Sequence, residues 1–375
     1  MVTMNRRDFI AKTTSVVTSL YFYDFAVAKE HNSQKEKPNI LVILTDDQGY
    51  SDVGVHGLKA VPTPNMDSIA QNGVLCRQGY AEPICGPSRA ALMSGMYPQR
   101  FGNDFNPGRP GHLGSYYTGL RDEIHTLGER LQQTGYHTGW VGKWHLGCPD
   151  NPVFHPVNQG FHEWYDYRKG RKKLPPYEIN RNGKWEKARQ HATIEMSNDA
   201  EHFIRNHKNK PWFLYYAPHT LHVIIAATDS YRKRVPESVR EPKRREYLAC
   251  LMMEDNGIGE LLTALKESGQ YDNTVIFFLS DNGGAPNTGA VNDPLRGYKG
   301  TTFEGGIRVP FFVQWKNELP SGSTYDKPVS DIDILPTALA AAGNPLPHKI
   351  AAAGSPVPDK DSIDGVNLLR FLINE

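Results

Sequence analysis

The densest group of reactive side chains lies in the five residues 85–89, Cys-Gly-Pro-Ser-Arg. Pro87 has a fixed φ and no N–H, which suits the first turn of a helix. Cys85 then lies just outside the helix N-terminus, where backbone N–H groups favour an anion, and Arg89 follows about one turn further on. This spacing predicts a nucleophile beside an anion-binding site. A buried structural cysteine beside a helix cap is the alternative, and it is commoner for an arbitrary cysteine.

Carboxylate and amide side chains directly follow two apolar runs, 40–44 and 274–280. Each run predicts a strand buried on both faces of a parallel sheet, and open α/β sheets bind ligands at the carboxyl ends of such strands. Adjacent carboxylates repel unless a cation lies between them, and an all-oxygen set favours calcium or magnesium over zinc. A solvated turn is the alternative for an isolated Asp-Asp pair. The oxygen donors are Asp46, Asp47, Asp281 and Asn282.

Further cations and imidazoles follow other predicted strands or lie in glycine-rich loops. Lys143 and His145 are two residues apart, so on extended backbone they point the same way and suit an anion and a proton transfer. His219 follows the apolar run 211–216, and Lys299 lies in a glycine-rich loop that can approach an anion. A surface lysine, a packed histidine and an ordinary surface loop are the alternatives.

Residues 85–95 read Cys-Gly-Pro-Ser-Arg-Ala-Ala-Leu-Met-Ser-Gly and resemble the signature of the type I sulfatases, within the alkaline phosphatase superfamily. Gly-Lys-Trp-His-Leu-Gly at 142–147 and Asp-Asn-Gly at 281–283 are similar to further stretches of that family. The resemblance implies an alkaline-phosphatase-like α/β sandwich, with a central, mostly parallel sheet flanked by helices. It also implies one bound Ca²⁺ and oxidation of Cys85 to formylglycine, whose hydrate attacks sulfur.

The resemblance assigns roles to residues of this chain. Lys143 and Lys299 contact the sulfate, and His145 contacts the formylglycine as the expected base. His219 or Lys299 protonates the departing oxygen; because Leu221 replaces an expected proline beside His219, His222 is the second choice for this role. The catalytic set implied is Cys85, Arg89, Lys143, His145, His219 and Lys299. The metal set implied is Asp46, Asp47, Cys85, Asp281 and Asn282.

Two further features depart from the family pattern. Met96 stands where the family usually has Arg or Lys, which removes a supporting charge near the site. The family usually continues from an Asp-Gly-x-x-Leu-Leu stretch, here 364–369, into a small C-terminal sheet subdomain, and we expect that subdomain to be truncated in this chain.

The composition sets bounds on size and partners. The 375 residues suffice for one large α/β domain or two smaller ones. A net charge of +1 gives no overall electrostatic field that would attract nucleic acid. Four widely spaced cysteines without a CxxC give no metal-cluster spacing, and we expect at most one disulfide, without Cys85.

The N-terminus predicts an export signal. Residues 5–10, Asn-Arg-Arg-Asp-Phe-Ile, are typical of a twin-arginine signal, and Ala-Val-Ala at 26–28 suits cleavage. We therefore expect a signal peptide over 1–28, a linker over 29–37 and a sulfatase catalytic domain over 38–375. This organisation implies the twin-arginine export machinery, a formylglycine-forming maturation enzyme, and a periplasmic or secreted location without stable membrane insertion. A disordered basic N-terminus is the alternative.

Residues 150–187 are polar and predict loops near the substrate entrance. They include the basic cluster 168–173, interpreted either as a solvated turn or as a contact for a sulfated glycan.

Three functions agree with the sequence. The first is hydrolysis of a sulfate ester, most simply of a carbohydrate. The second is hydrolysis of a phosphoester or phosphonate, because these tetrahedral oxyanions fit the same groups. The third is calcium-dependent binding of sulfated glycans without catalysis.

Overall fold

The computed structural model describes residues 36–107, 118–148, 151–167, 173–344, 346 and 362–373. The predicted signal peptide, most of the linker and residues 168–172 of the basic cluster lie outside the described residues. All elements named below belong to the unit Pro38–Glu375.

A ten-stranded sheet runs through the described part of the chain, in the order β10-β2-β9-β8-β1-β7-β3-β4-β5-β6. Five adjacent strands at its centre, β8, β1, β7, β3 and β4, are parallel, whereas β9, β5 and β6 run antiparallel to their neighbours. The strands are β1 (Asn39–Thr45), β2 (Val74–Tyr80), β3 (His137–Gly142), β4 (Glu163–Asp166), β5 (Glu178–Arg181), β6 (Lys184–Lys187), β7 (Trp212–Ala217), β8 (Thr274–Ser280), β9 (Phe311–Gln314) and β10 (Ser323–Ser330).

Helices cover both faces of the sheet, which confirms the predicted α/β sandwich. Alternate residues of β1 divide between two cores: Val42 packs with α2, α3 and α8 on one face, and Ile43 packs with α1, α4 and α6 on the other. The helices are α1 (Pro64–Gln71), α2 (Cys85–Ser94), α3 (Leu127–Gln133), α4 (Ala192–Asn206), α5 (Asp229–Arg232), α6 (Pro242–Glu267), α7 (Glu304–Ile307), α8 (Ile334–Ala341) and α9 (Leu369–Leu372).

The sequence predicts a long helix over 244–268 that Gly257 and Gly259 kink or split, but α6 is continuous. The glycines serve close packing instead. A Cβ at Gly259 would lie 2.7 Å from the Asn65 side chain of α1. On the preceding turn, the Asp255 carboxylate accepts hydrogen bonds from the N–H groups of Asn65 (3.1 Å) and Met66 (2.8 Å). A distant helix therefore caps α1.

The prediction that 150–187 forms only loops is wrong, because three strands lie within it. Asn182 and Gly183 have φ of 51° and 90° and form the two-residue turn between β5 and β6. Asn-Gly is the preferred pair for such a hairpin, because both residues tolerate positive φ. That dipeptide was the available sequence indication of the hairpin.

The Asp-Gly stretch near the end of the chain packs against the C-terminus of α2. The Asp364 N–H donates to the Gly95 carbonyl (2.8 Å), and its carboxylate accepts from the Tyr97 N–H (3.0 Å) and from Arg100 (2.8 Å). Met96 is buried in the core beside them. It lies beyond the opposite end of α2 from Cys85, so the predicted loss of a charge near Cys85 is wrong.

Cys76, Cys85, Cys148 and Cys250 all belong to the described residues, and no disulfide joins them. Among the residues that the structure describes, no helix has the length and apolarity that a membrane crossing requires.

Replacing Phe277 by Ala tests the assignment of the core on one face of the sheet. Phe277 lies in β8 and is fully buried, so the substitution leaves a cavity and lowers the free energy of unfolding by about 3–5 kcal/mol. Urea unfolding followed by circular dichroism measures this change. The control Phe105→Ala removes a ring that is 75% exposed and shifts the unfolding free energy by less than about 0.5 kcal/mol. Equal effects of the two substitutions would contradict the assigned core.

Candidate active site

The register of the central strands brings several polar residues to one edge of the sheet. Thr45 pairs with Ser280, so Asp46 and Asp281 leave β1 and β8 side by side. Gly142 pairs with Ala217, and the N–H of Lys143 donates to the Ala217 carbonyl at 2.8 Å. Residues far apart in sequence therefore meet at the carboxyl ends of adjacent parallel strands.

Cys85 lies among these groups. It is the first residue of α2 rather than the residue before the helix. Its Sγ lies 3.5 Å from Asp46 Oδ1 and 3.9 Å from Asp47 Oδ1, and Lys299 Nζ lies 3.1 Å from the same sulfur. Burial and the charge of Asp281 raise the pKa of the Cys85 thiol. The unmodified thiol is therefore protonated at neutral pH and is a poor nucleophile.

Arg89 joins α2 to the sheet. Its Nε and Nη2 donate to Asp281 Oδ2 at 3.1 and 2.7 Å, and its Nη1 donates to the Lys143 carbonyl at 3.0 Å. Nη1 also donates to the Tyr215 hydroxyl at 3.3 Å. Tyr215 was not predicted as a site residue, because an aromatic side chain inside an apolar strand resembles any other core residue.

Two lysines contact the carboxylates that follow β1. Lys143 Nζ lies 2.8 Å from both oxygens of Asp46, and Lys299 Nζ lies 2.5 Å from Asp47 Oδ1. Burial by itself would raise the pKa of Asp46, but Lys143 and other nearby cations outweigh it and keep that pKa well below its ordinary value. In contrast, burial and the repulsion of Asp46 raise the pKa of Asp281 to about 6.

Glycine allows the loop of Lys299 to approach the end of β8. A Cβ at Gly283 would lie 1.9 Å from the Gly305 carbonyl oxygen, which no larger residue could tolerate. The Lys299 N–H donates to the Gly284 carbonyl at 3.2 Å, so the two glycine-containing segments are also joined by a hydrogen bond. This close contact brings the Lys299 side chain to Cys85.

The oxygen-rich donor set fits a hard divalent cation. One ligand atom from each of Asp46, Asp47, Cys85 and Asp281 lies within 4.8 Å of the others. Asn282 Nδ2 donates to Asp47 Oδ1 at 2.8 Å, while Asn282 Oδ1 and Asp47 Oδ2 are buried and lack a hydrogen-bond partner among the described residues. Buried acceptors without donors are costly, and a cation would satisfy both.

Two site residues adopt left-handed backbone conformations. Asp47 has a φ of 65° and His145 a φ of 59°. Such positive φ values are energetically costly for residues other than glycine. His145 Nδ1 is buried without a hydrogen-bond partner among the described residues. Burial and the nearby Lys143 lower the pKa of His145 well below its ordinary value, so the ring is neutral at neutral pH and able to accept a proton.

The loop after β7 brings His222 close to the cysteine. His222 is the alternative to His219 for protonating the departing oxygen. A ring nitrogen of His222 lies within 4.8 Å of Cys85 Sγ and an Asp46 oxygen, and Nε2 is 4.0 Å from Asp47 Oδ2. Burial, aided by Lys173, lowers the pKa of His219 to about 3. A neutral His219 cannot donate a proton as an imidazolium at neutral pH.

Lys173 supports this histidine loop, a role that the sequence did not indicate. The side chain is buried, and its Nζ donates to the carbonyls of Thr220 (2.7 Å) and His222. The interpretation of the basic cluster as a solvated turn or glycan contact is therefore wrong for Lys173. Burial lowers the pKa of Lys173 to about 8 and raises that of the neighbouring Glu254 in α6 to about 8.

Substituting Arg89 by Met tests the charge balance of the site. The change leaves Asp281 buried without its cation and lowers the free energy of unfolding by about 3–5 kcal/mol in the presence of a chelator. The control Arg77→Ala removes an exposed pair with Asp326 and costs less than about 1 kcal/mol. We expect excess calcium to reduce the effect at Arg89, because the cation compensates the same carboxylates. Equal costs for the two variants, measured by urea unfolding, would contradict this assignment.

The chain is similar to known proteins over most of its length. A family model described as Sulfatase matches residues 38–344. N-acetylgalactosamine-6-sulfatase of Canis lupus familiaris is 35% identical over an alignment of length 347, which covers 82% of this chain and 63% of that protein. The Homo sapiens protein of the same name is 35% identical over an alignment of length 376, which covers 90% of this chain and 66% of that protein.

The chain thus spans slightly less than two thirds of the length of these relatives. Among solved structures, Ps i-CgsB in complex with k-i-k-neocarrahexaose superposes with a TM-score of 0.82 at 35% identity, covering 89% of this chain and 76% of the other. The match of the family model over most of the chain, together with these relatives, shows that the chain belongs to the sulfatase family of the alkaline phosphatase superfamily.

Proposed function

We propose that the protein is a sulfuric ester hydrolase that releases sulfate from an organic sulfate ester. The observation that carries this proposal is the convergence of the Cys85 thiol with three carboxylates and three cations at one edge of the sheet. Fixed cations around a reacting group stabilise charge that develops in the transition state, and sulfate transfer places that charge on sulfate oxygens and on the departing oxygen. The carboxylates are Asp46, Asp47 and Asp281, and the cations are Arg89, Lys143 and Lys299.

Residue 85 acts as formylglycine in this proposal, because the buried thiol is protonated and poorly reactive. The hydrated aldehyde supplies two hydroxyl groups, one to attack sulfur and one whose proton loss allows sulfate to leave. Arg89 is buried and fixed by its two bonds to Asp281, so it provides a stationary positive charge beside this residue.

Asp46, Asp47, Asp281 and Asn282 would hold one Ca²⁺, with residue 85 next to it. The ion would polarise the sulfate ester and a residue-85 oxygen. An ion held there would compete with Lys143 and Lys299 for the carboxylates that these lysines contact. Both ammonium groups then become available to neutralise sulfate oxygens, which is the role proposed for them.

Two different groups exchange protons with the reactants. His145 accepts a proton from residue 85 during sulfate release, since its neutral ring carries a buried nitrogen without a partner among the described residues. Lys299 or a histidine of the loop 219–222 donates the proton to the departing alcohol. We favour Lys299 over His219, because Lys299 contacts Cys85 directly and His219 is neutral at neutral pH.

The proposed substrate is a sulfated carbohydrate, supported by Ps i-CgsB, whose solved structure contains the saccharide k-i-k-neocarrahexaose. Residues 1–28 are proposed to direct twin-arginine export to the periplasm or beyond, after a maturation enzyme has converted Cys85. Folded export suits a residue that is modified before the protein leaves the cytoplasm.

Turnover of an aryl sulfate and the matching aryl phosphate by the purified protein tests the function. We expect release of sulfate at a rate well above that of phosphate, and peptide mass spectrometry detects the aldehyde at residue 85. Cys85→Ser abolishes sulfate release without changing the unfolding temperature, whereas Cys76→Ala, in β2 and away from the site, retains it.

Faster phosphate release would favour the phosphoester hydrolase. Calcium-dependent glycan binding without release of either anion would favour the non-catalytic binder.

Replacing Lys299 by Met separates metal binding from catalysis. Lys299 competes with a cation for Asp47, so its loss raises calcium affinity several-fold, while sulfate release falls because the anion and the leaving group lose a charge. Calorimetric calcium titration and the sulfate assay measure the two effects. The exposed Lys316→Met serves as the control and changes neither. Weakened calcium binding in Lys299→Met would contradict the proposed competition.

A further inference from the structure

A second cluster of potential metal ligands lies at the opposite edge of the sheet from the candidate active site. It consists of His137 at the start of β3, Glu163 at the start of β4, and His207 directly after α4. One ligand atom from each residue lies within 4.8 Å of the others. The side chains are 28%, 24% and 18% exposed, so the cluster is ordered by packing and open to solvent on one side.

Both histidines direct the same type of nitrogen to one oxygen. His137 Nε2 lies 2.8 Å and His207 Nε2 lies 3.1 Å from Glu163 Oε1. In a tetrahedral zinc site with bonds of about 2.0–2.1 Å, neighbouring ligand atoms are about 3.3 Å apart. Small side-chain movements would therefore convert this cluster into the three protein ligands of a tetrahedral ion, with water in the fourth position.

The surrounding hydrogen bonds orient these ligands. His207 Nδ1 lies 2.8 Å from the Phe203 carbonyl, which can only accept, so Nδ1 carries a proton. Nε2 faces the Glu163 carboxylate, and a metal would replace the proton that Nε2 shares with that carboxylate. The Tyr165 hydroxyl donates to Glu163 Oε2 at 2.9 Å and leaves Oε1 for the cluster. Such outer contacts fix ring orientation and tautomer at protein metal sites.

Aromatic packing also restrains the two rings. The His137 ring stacks on the His207 ring with 4.1 Å between centroids, and the His162 ring covers His137 with a separation of 4.8 Å. The Phe203 ring packs against His207 at 4.5 Å. Because the lone pairs of parallel rings do not converge on one point, binding an ion requires one of the two rings to tilt out of the stack.

We propose that His137, Glu163 and His207 form a zinc-class divalent metal site, distinct from the oxygen-rich calcium site. Two imidazoles and one carboxylate suit Zn²⁺, whereas calcium and magnesium prefer oxygen ligands alone. The ion would join two adjacent strands to the end of α4 and would stabilise that edge of the sheet. This site lies away from Cys85, and the inference does not depend on the proposed hydrolase activity.

Zinc titration of the untagged full chain, in saturating calcium and against a chromophoric zinc indicator, tests this site. We expect one equivalent of zinc to bind the wild type, and at least tenfold weaker binding by His207→Gln and by Glu163→Gln. Zinc should raise the unfolding temperature of the wild type and leave that of the two variants unchanged. Cobalt should give the visible absorption of a nitrogen- and oxygen-ligated site in the wild type alone.

Two controls assign the binding to this cluster. His202→Gln removes an exposed histidine from the same helix and retains zinc affinity. Cys85→Ser also retains it, which excludes the active-site thiol as the ligand. Unfolding temperatures in chelator establish that the variants are folded. Equal zinc affinity in the wild type, His207→Gln and Glu163→Gln, whether measurable or absent, would overturn the proposal.

Discussion

The structure depends on compensating three carboxylates that the parallel register of the sheet forces together. Thr45 and Ser280 are paired neighbours, so the acidic residues that follow β1 and β8 leave the sheet at the same place and are buried there. Their mutual repulsion would oppose folding. Arg89, Lys143 and Lys299 offset it, each arriving from a different element. The interactions that permit the fold therefore also place three positive charges around the cysteine.

The backbone around this cluster is arranged at the expense of local stability. Asp47 and His145 adopt positive φ, and the approach of Gly283 to the Gly305 carbonyl excludes a side chain at Gly283. These residues directly follow parallel strands that are packed against a core on both faces. Because the two cores fix the strand ends, the strands can support such conformations. Lys173 likewise fixes the loop after β7, where its buried ammonium group donates to the carbonyls of Thr220 and His222.

Residue patterns that depend on neighbours in sequence predicted most of this architecture. The apolar runs of β1 and β8 lie where expected, since each is set by local chemistry. The convergence of Asp46 with Asp281 also followed from the general geometry of parallel sheets. Features set by distant partners could not be read in this way. Asp255 caps α1 from another helix, and Lys173 lies in a basic run that gives no indication of its burial.

The two edges of the sheet differ in how far their polar clusters can be predicted from the sequence. At the carboxyl edge, short motifs such as 85–89 and 142–147 keep several reactive residues together, so the sequence alone indicates chemistry. At the amino edge, His137, Glu163 and His207 are separated by 26 and 44 residues and belong to no motif. They meet because β3 pairs with both β4 and β7, and α4 leads directly into β7. Strand order, rather than spacing along the chain, determines which polar residues can act together there.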